Sequence, residues 1–370
     1  MQSSNIKFLP QVDHLRAIAA IWIVLYHAQQ LLGSVMLTGQ WFGGEWPVAS
    51  SPFSALIIEG HSAVALFMVL SGFIFAYGTY GKEISYSKFI LNRILRIYPL
   101  YLVVIFFSIS ISPQNFVLAE FVSTVLPLAN VGLMQTNGAV GMSWAVAVEF
   151  QFYLIFPFIL LALNSAPAKT IVSVIAVALA FRLLAIGLGA DPRDMSYSHL
   201  VGRIDQFVLG MGAALLLRAL NGSRYLLLSM LFGGAGAVVY MLFWLNHHGG
   251  WVSQVWWKIL WPTIEGAVYA VFIVGYVGSK NMFPVLLSNC LCKVGECSFS
   301  IYLLHFSIVL MFATRKDLVF HPTGNPKLDL IFMMFAVVLP VVLVFSMLTY
   351  RVIERPFLSF RKRYVSGQTA

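Results

Sequence analysis

Residues 13–27 read DHLRAIAAIWIVLYH, and the reading of this stretch decides the fold. Its middle is apolar enough to cross a bilayer, yet Arg16 sits near one end and His27 near the other. On insertion scales a charged side chain at the bilayer centre costs roughly 2.5–3.5 kcal/mol, so such residues are placed there for a reason. As a helix, the eleven-residue step from Arg16 to His27 is about three turns. It puts both side chains on one face, about 16 Å apart along the axis.

The rest of the chain agrees with a membrane setting. Of 370 residues, 59% are hydrophobic and 10% charged, and apolar runs of about 20 residues recur without strand-like alternation. Backbone in lipid must satisfy its own hydrogen bonds, so these runs are helices. Clear spans are expected near 12–33, 61–81, 97–112, 143–164, 169–188, 203–218, 224–245, 256–278, 297–314 and 330–350. The fold class is therefore an all-α integral membrane protein, one bundle of about ten transmembrane helices. The single transmembrane domain takes up residues 1–370, with no separate soluble domain and no cleavable leader.

One segment, about 115–134, is ambiguous because it includes Glu120 and Pro127 and follows Pro113. Loop charge resolves it. If it does not cross, both termini share one side with Lys7, Lys82, Lys88, Arg93, Arg96, Lys169, Arg218, Arg224, Lys280, Lys293, Arg351, Arg355, Arg361, Lys362 and Arg363. The other side holds only Arg193, Arg315, Lys316 and Lys327. The positive-inside rule then makes 115–134 a re-entrant or surface helix and both termini cytoplasmic. The same rule accounts for the net charge of +9 without nucleic acid. Cys290, Cys292 and Cys297 fall in one predicted loop, lack metal-ligand spacing and read as reduced thiols; no metal is expected.

Once the spans are oriented, His27, Glu149 and Arg182 each lie about six residues, or about 9 Å, below the outer surface. Arg203 and Asp205 open the sixth span on that side. Glu149–Arg182 or Arg203–Asp205 as helix-pinning ion pairs is the structural alternative to a reactive cluster. The face joining Arg16 to His27 suits a channel or an acyl-transfer tunnel equally. NRILRIYPLY (92–101) sets Arg93 and Arg96 three residues apart at the cytoplasmic entrance of the third span, where forked guanidinium groups suit phosphate or merely anchor the helix. VLSGF (69–73) puts Ser71 and Gly72 in the second span, for tunnel clearance or for close packing. SFSIYLLH (298–305) forms a stripe of Ser298, Tyr302 and His305.

In order, DHLRAIAAIWIVLYH, VALFMVLSGF, RILRIYPLY, SWAVAVEFQFYLIFP, RIDQFVLGMGAALL, SFSIYLLH and YRVIERPF resemble the acyltransferase-3 membrane family over nearly the whole chain. The resemblance implies ten helices and a cytoplasmic acyl-CoA donor, acetyl-CoA above all. It also implies transfer to a hydroxyl of a surface polysaccharide, such as O-antigen or exopolysaccharide, or of its lipid-linked precursor at the periplasmic face of the bacterial inner membrane. By the same resemblance His27 is the essential histidine, Arg16 its partner, and Arg93 with Arg96 the pair that meets acyl-CoA, beside Ser71 and Gly72. Glu149 takes the position of a family glutamate, although Ser143 and Trp144 stand in a different order from the usual one. His14 replaces a usual glycine, and Ala65 stands where an acid is common.

Chemically, His27 suits a general base or an acyl-imidazole nucleophile, and Glu149 suits orienting its ring. Arg182 or Arg203 is left to neutralise Glu149 or to stabilise an oxyanion. The rival class is a transporter or proton-coupled permease using the same charges, but the inverted repeat it requires is not found.

Overall fold

The computed structural model describes residues 8–39, 46–130, 141–220, 222–279 and 282–368. Lys7 and Lys280 of the orientation argument, and the last residues of 115–134, lie outside them. Among the described residues nine helices are long and apolar enough to cross a membrane: Pro10–Thr38, Gly60–Thr79, Tyr86–Ile111, Ser143–Ser165, Pro167–Gly187, Pro192–Ala219, Arg224–His247, Trp261–Gly278 and Pro326–Leu358. Val285–Glu296 and Ser298–Thr314 meet at a 69° bend and supply one more span between the eighth and the last. Nine of the expected spans are present as single long helices, and the bent pair occupies the place of the other. Among its described residues the ambiguous segment forms the helix Leu118–Val125, whose eight residues reach about 12 Å and cannot cross.

Small residues bring the helices together. A Cβ on Gly72 would collide with the carbonyl of Phe207, and one on Gly210 with the carbonyl of Val69, so the second and sixth spans touch backbone to backbone. Lipid offers no hydrophobic drive between helices, which makes such close van der Waals packing the force that holds them. Gly295 likewise abuts the backbone of Asp13, locking the bent helix onto the first span.

The first span changes pitch immediately after His27, where Ala28–Leu32 forms a π-helical turn before α-helix resumes at Gly33. An extra residue in the turn widens the helix and re-aims the side chains beside it. At the basic end, the strand Val365–Gln368 pairs antiparallel with Lys82–Ile84. The Asn92 side chain donates to the Lys362 carbonyl at 2.7 Å and accepts from its N–H at 2.8 Å. This clasp lays Arg361 over the entrance of the third span.

Candidate active site

A cavity of about 890 Å³ opens between the first four spans and Ser298–Thr314. Arg16, Arg93 and Arg96 line one end, Ser71, Glu149 and Tyr153 its wall, and Val64, Met68 and Tyr302 its depth. From Phe75 to Val64 the cavity follows eleven residues of the second span, about 16 Å. Seven sequence-predicted residues (Arg16, Ser71, Arg93, Arg96, Glu149, Ser298 and Tyr302) thus line one cavity, although they come from five spans.

The arginines are not equivalent. Arg96 donates to Glu354 at 2.8 Å and to the Glu296 carbonyl at 3.3 Å, and Ser300 bonds the other Glu354 oxygen. The acid of YRVIERPF therefore neutralises Arg96. Arg16 pairs with Asp13 at 3.2 Å. Arg93 instead lies among the rings of Phe75, Phe89 and Tyr153, 5.1, 5.4 and 5.6 Å from their centroids. Its buried Nε has no hydrogen-bond partner among the described residues. Arg361 completes the basic group: burial, then the like charges of Arg96, Arg93 and Arg16, push its guanidinium down to about 10. Cations held this close repel one another and favour negative charge placed among them.

Glu149 accepts from Ser71 Oγ at 3.0 Å and from the Tyr153 hydroxyl. It does not orient His27, which corrects that expectation: its partners lie on its own helix and on the second span, inside the cavity. Nor does it meet Arg182. The buried Arg182 pairs with Asp205 at 2.9 Å and reaches Gly202 O at 2.6 Å and Thr263 Oγ1 at 2.7 Å, tying the fifth, sixth and eighth spans together. Both anticipated ion pairs, Glu149–Arg182 and Arg203–Asp205, are replaced by this one. Arg203 lies 4.0 Å over the Tyr197 ring, with Nη1 3.3 Å from Met68 Sδ. Gly72 corrects another expectation: packed against Phe207, it serves helix contact and does not line the cavity.

His27 and His305 lie just beyond the cavity lining, past Tyr302. Their ring centroids are 5.2 Å apart, and His305 is 5.6 Å from the Tyr302 ring. His305 Nδ1 donates to the Tyr302 carbonyl at 2.6 Å, which fixes the tautomer and leaves Nε2 a lone pair. That Nε2 and His27 Nδ1 are both buried without a partner among the described residues. Two imidazoles, each with an unpaired nitrogen among the described residues, thus lie side by side next to the cavity.

Sequence reasoning missed Tyr153, Glu354 and a second acid–histidine pair, Glu59 with His61, whose Oε2 and Nε2 are 2.9 Å apart. The spacing EGH at the mouth of the second span was the available signal for the pair. Tyr153 stands four residues after Glu149 on the same helix, and that spacing was its signal; nothing local marks Glu354, because its partners Arg96 and Ser300 lie on other helices.

The profile of a family described as an acyltransferase domain matches residues 9–351. The chain is 26% identical over 330 residues to acyltransferase MdmB of Streptomyces mycarofaciens, covering 81% of this chain and 79% of that protein. It is 23% identical over 342 residues to O-acetyltransferase OatA of Staphylococcus aureus, covering 82% of this chain but 51% of OatA. A putative O-acetyltransferase of the same species is 22% identical over 98% of this chain and 60% of its own length. The chain thus spans about half the length of the O-acetyltransferases it matches. No solved structure matches.

Proposed function

The chain belongs to the acyltransferase-3 membrane family, and from that premise we propose that it moves an acyl group, acetyl above all, from cytoplasmic acyl-CoA to a hydroxyl of a surface glycan or its lipid-linked precursor. The observation that carries the donor half is the unneutralised Arg93 guanidinium at one end of an 890 Å³ cavity, with Arg16, Arg96 and Arg361 around it. Phosphates of CoA are the anions that suit forked guanidinium groups. The apolar wall of Val64, Phe67 and Ile97 suits the pantetheine arm behind them. By the positive-inside rule this end faces the cytoplasm and the termini with it.

The reacting end is assigned to His27 with His305 beside it. An acceptor hydroxyl loses its proton to imidazole as its oxygen attacks the thioester carbonyl. The C–S bond breaks, and the proton passes from imidazolium to the departing thiolate. The products are the O-acyl ester and CoA thiol. Glu149, Tyr153 and Ser71 form a polar collar partway along the cavity and serve donor positioning.

Purified protein in nanodiscs, titrated with CoA and acetyl-CoA, tests the donor half. The expected result is a rise in unfolding temperature in wild type that Arg93→Ala abolishes. Absence of any shift in wild type would overturn the assignment. Mass spectrometry of surface glycans from a deletion strain tests the acceptor class.

A further inference from the structure

Past the last span the chain turns back over the basic end of the bundle as a strap, residues 361–368, whose charges the sequence alone reads as ordinary anchoring. Chain ends fray unless something ties them down, and this one is tied by backbone and side chain alike. Val365–Gln368 pairs with Lys82–Ile84, and the Ser85 N–H donates to the Tyr364 carbonyl at 2.8 Å. The buried Asn92 side chain spends its oxygen and its nitrogen on the Lys362 backbone. Tyr364 is 2% exposed, with its ring 5.2 Å from that of Phe89. Phe89 is one of the rings around Arg93, so the strap and the cavity arginine share a wall.

This anchoring fixes Arg361. Its Nε donates to the Leu358 carbonyl at 3.2 Å, and its two Nη groups have neither a hydrogen-bond partner nor a carboxylate at salt-bridge distance among the described residues. The acid within its electrostatic reach, Glu354, is already bonded to Arg96 and to Ser300. Arg96, Arg93 and Arg16 act on it as like charges. A chain that needed only basic residues at this end could leave them in water, as it leaves Lys362 and Arg363 exposed. Arg361 is instead half-buried beside other cations, an arrangement that like charge makes costly and an anion would relieve.

The order of the cations matters. Arg93 and Arg96 line the cavity, and Arg361, on the segment past the last span, does not. The anions of CoA are ordered in the same way: the pyrophosphate adjoins the pantetheine arm, and the 3′-phosphate sits beyond it on the ribose. A pantetheine arm running into the cavity brings the pyrophosphate to Arg93 and leaves the 3′-phosphate outside the lining. A phosphate monoester carries about two negative charges near neutral pH, and its oxygens match a forked guanidinium.

We propose that the strap is part of the donor site and that Arg361 binds the 3′-phosphate of CoA. The assignment rests on the acyl-CoA reading above and adds to it which phosphate meets which arginine. A lipid headgroup offers phosphate as well, and two forms of CoA separate the sources.

CoA and dephospho-CoA, which lacks only the 3′-phosphate, are titrated into the full chain in phosphatidylcholine nanodiscs, and dissociation constants are read from the rise in unfolding temperature. Wild type should bind CoA at least about tenfold more tightly than dephospho-CoA. Arg361→Ala should weaken CoA to the level of dephospho-CoA and leave dephospho-CoA unchanged, while Arg361→Lys keeps part of the preference. Arg93→Ala should remove the response to both. Arg363→Ala, which takes an exposed charge from the same strap, should keep the full preference. Without ligand, Arg361→Ala should unfold near the wild-type temperature, since no ion pair is lost; Arg361→Lys carries the test if the alanine variant does not fold. Equal stabilisation of wild type by both forms, the result expected if lipid headgroups hold Arg361, would overturn the proposal and leave the donor assignment in place. A preference that survives in folded Arg361→Ala would do the same, and an equal loss in Arg363→Ala would replace the site by diffuse charge. No stabilisation of wild type by either form would instead remove the donor assignment and this proposal with it.

Discussion

Arg96 and Glu354 form an ion pair at 2.8 Å, the acid fully buried and the arginine one-fifth exposed, whereas Arg93, one turn earlier on the same helix, has no carboxylate at salt-bridge distance among the described residues. Two arginines that look alike in sequence thus have different work: one holds the last span against the third, and the other faces the cavity.

The first prediction separates them. Arg96→Ala strands a buried carboxylate and should cost about 3–5 kcal/mol, visible as a lower unfolding temperature without ligand. Glu354→Gln added to it should recover part of the loss. Arg93→Ala should leave the unliganded midpoint near wild type and remove the shift caused by CoA. Equal behaviour of the two single variants would refute the division of labour.

The second concerns the histidine pair. His27→Ala should lower acyl transfer by about 10²–10⁴-fold, with CoA stabilisation and membrane insertion retained, since no described hydrogen bond from Nδ1 is lost. His305→Ala should lower turnover less and shift its pH profile. A His27→Ala protein with wild-type transfer defeats the catalytic assignment. One that disappears from the membrane defeats it as well, in favour of a structural histidine.

Glu149 provides a third test, because its partners are Ser71 and Tyr153 and not His27. Glu149→Gln should raise KM for acyl-CoA several-fold while leaving the pH dependence of kcat in place. A shifted pH profile with unchanged KM would return Glu149 to the role of orienting His27.

Close helix packing supplies a fourth. Gly72→Ala drives a methyl into the Phe207 carbonyl and should destabilise by about 1–3 kcal/mol. Gly187→Ala, where an added Cβ meets nothing within 4 Å, is the control. A Gly72→Ala protein as stable as the control would mean the second and sixth spans can slide apart without penalty.

Topology gives the last. Single cysteines introduced at position 90 and in the C-terminal tail should be protected from a membrane-impermeant maleimide in intact cells, and cysteines in the 34–60, 189–202 and 315–329 loops should react. Labelling at position 90 from outside would invert the bundle and place the arginine cavity on the wrong side for acyl-CoA.

What the sequence determined by itself is the class of fold. It follows from a term that acts along the chain: an apolar run of about 20 residues must satisfy its own backbone in lipid. The apolar spans and the failure of 115–134 to cross are legible for that reason. Depth was read less well: Glu149, placed by counting at the depth of His27, lines the cavity with Arg16, Arg93 and Arg96. Partner choice is set by the rotation and contact of helices far apart in the chain, and it was not legible. Arg182 meets Asp205 instead of Glu149 because the fifth, sixth and eighth spans pack together. Glu149 turns to Tyr153 and Ser71 because the fourth span faces the second, and Gly72 is spent on the approach of Phe207. Glu59, which holds His61, finds two of its remaining partners, Asn246 and Trp251, nearly two hundred residues away. At equal depth every carboxylate is a plausible neighbour for every cation, and only the packed bundle decides which of them touch.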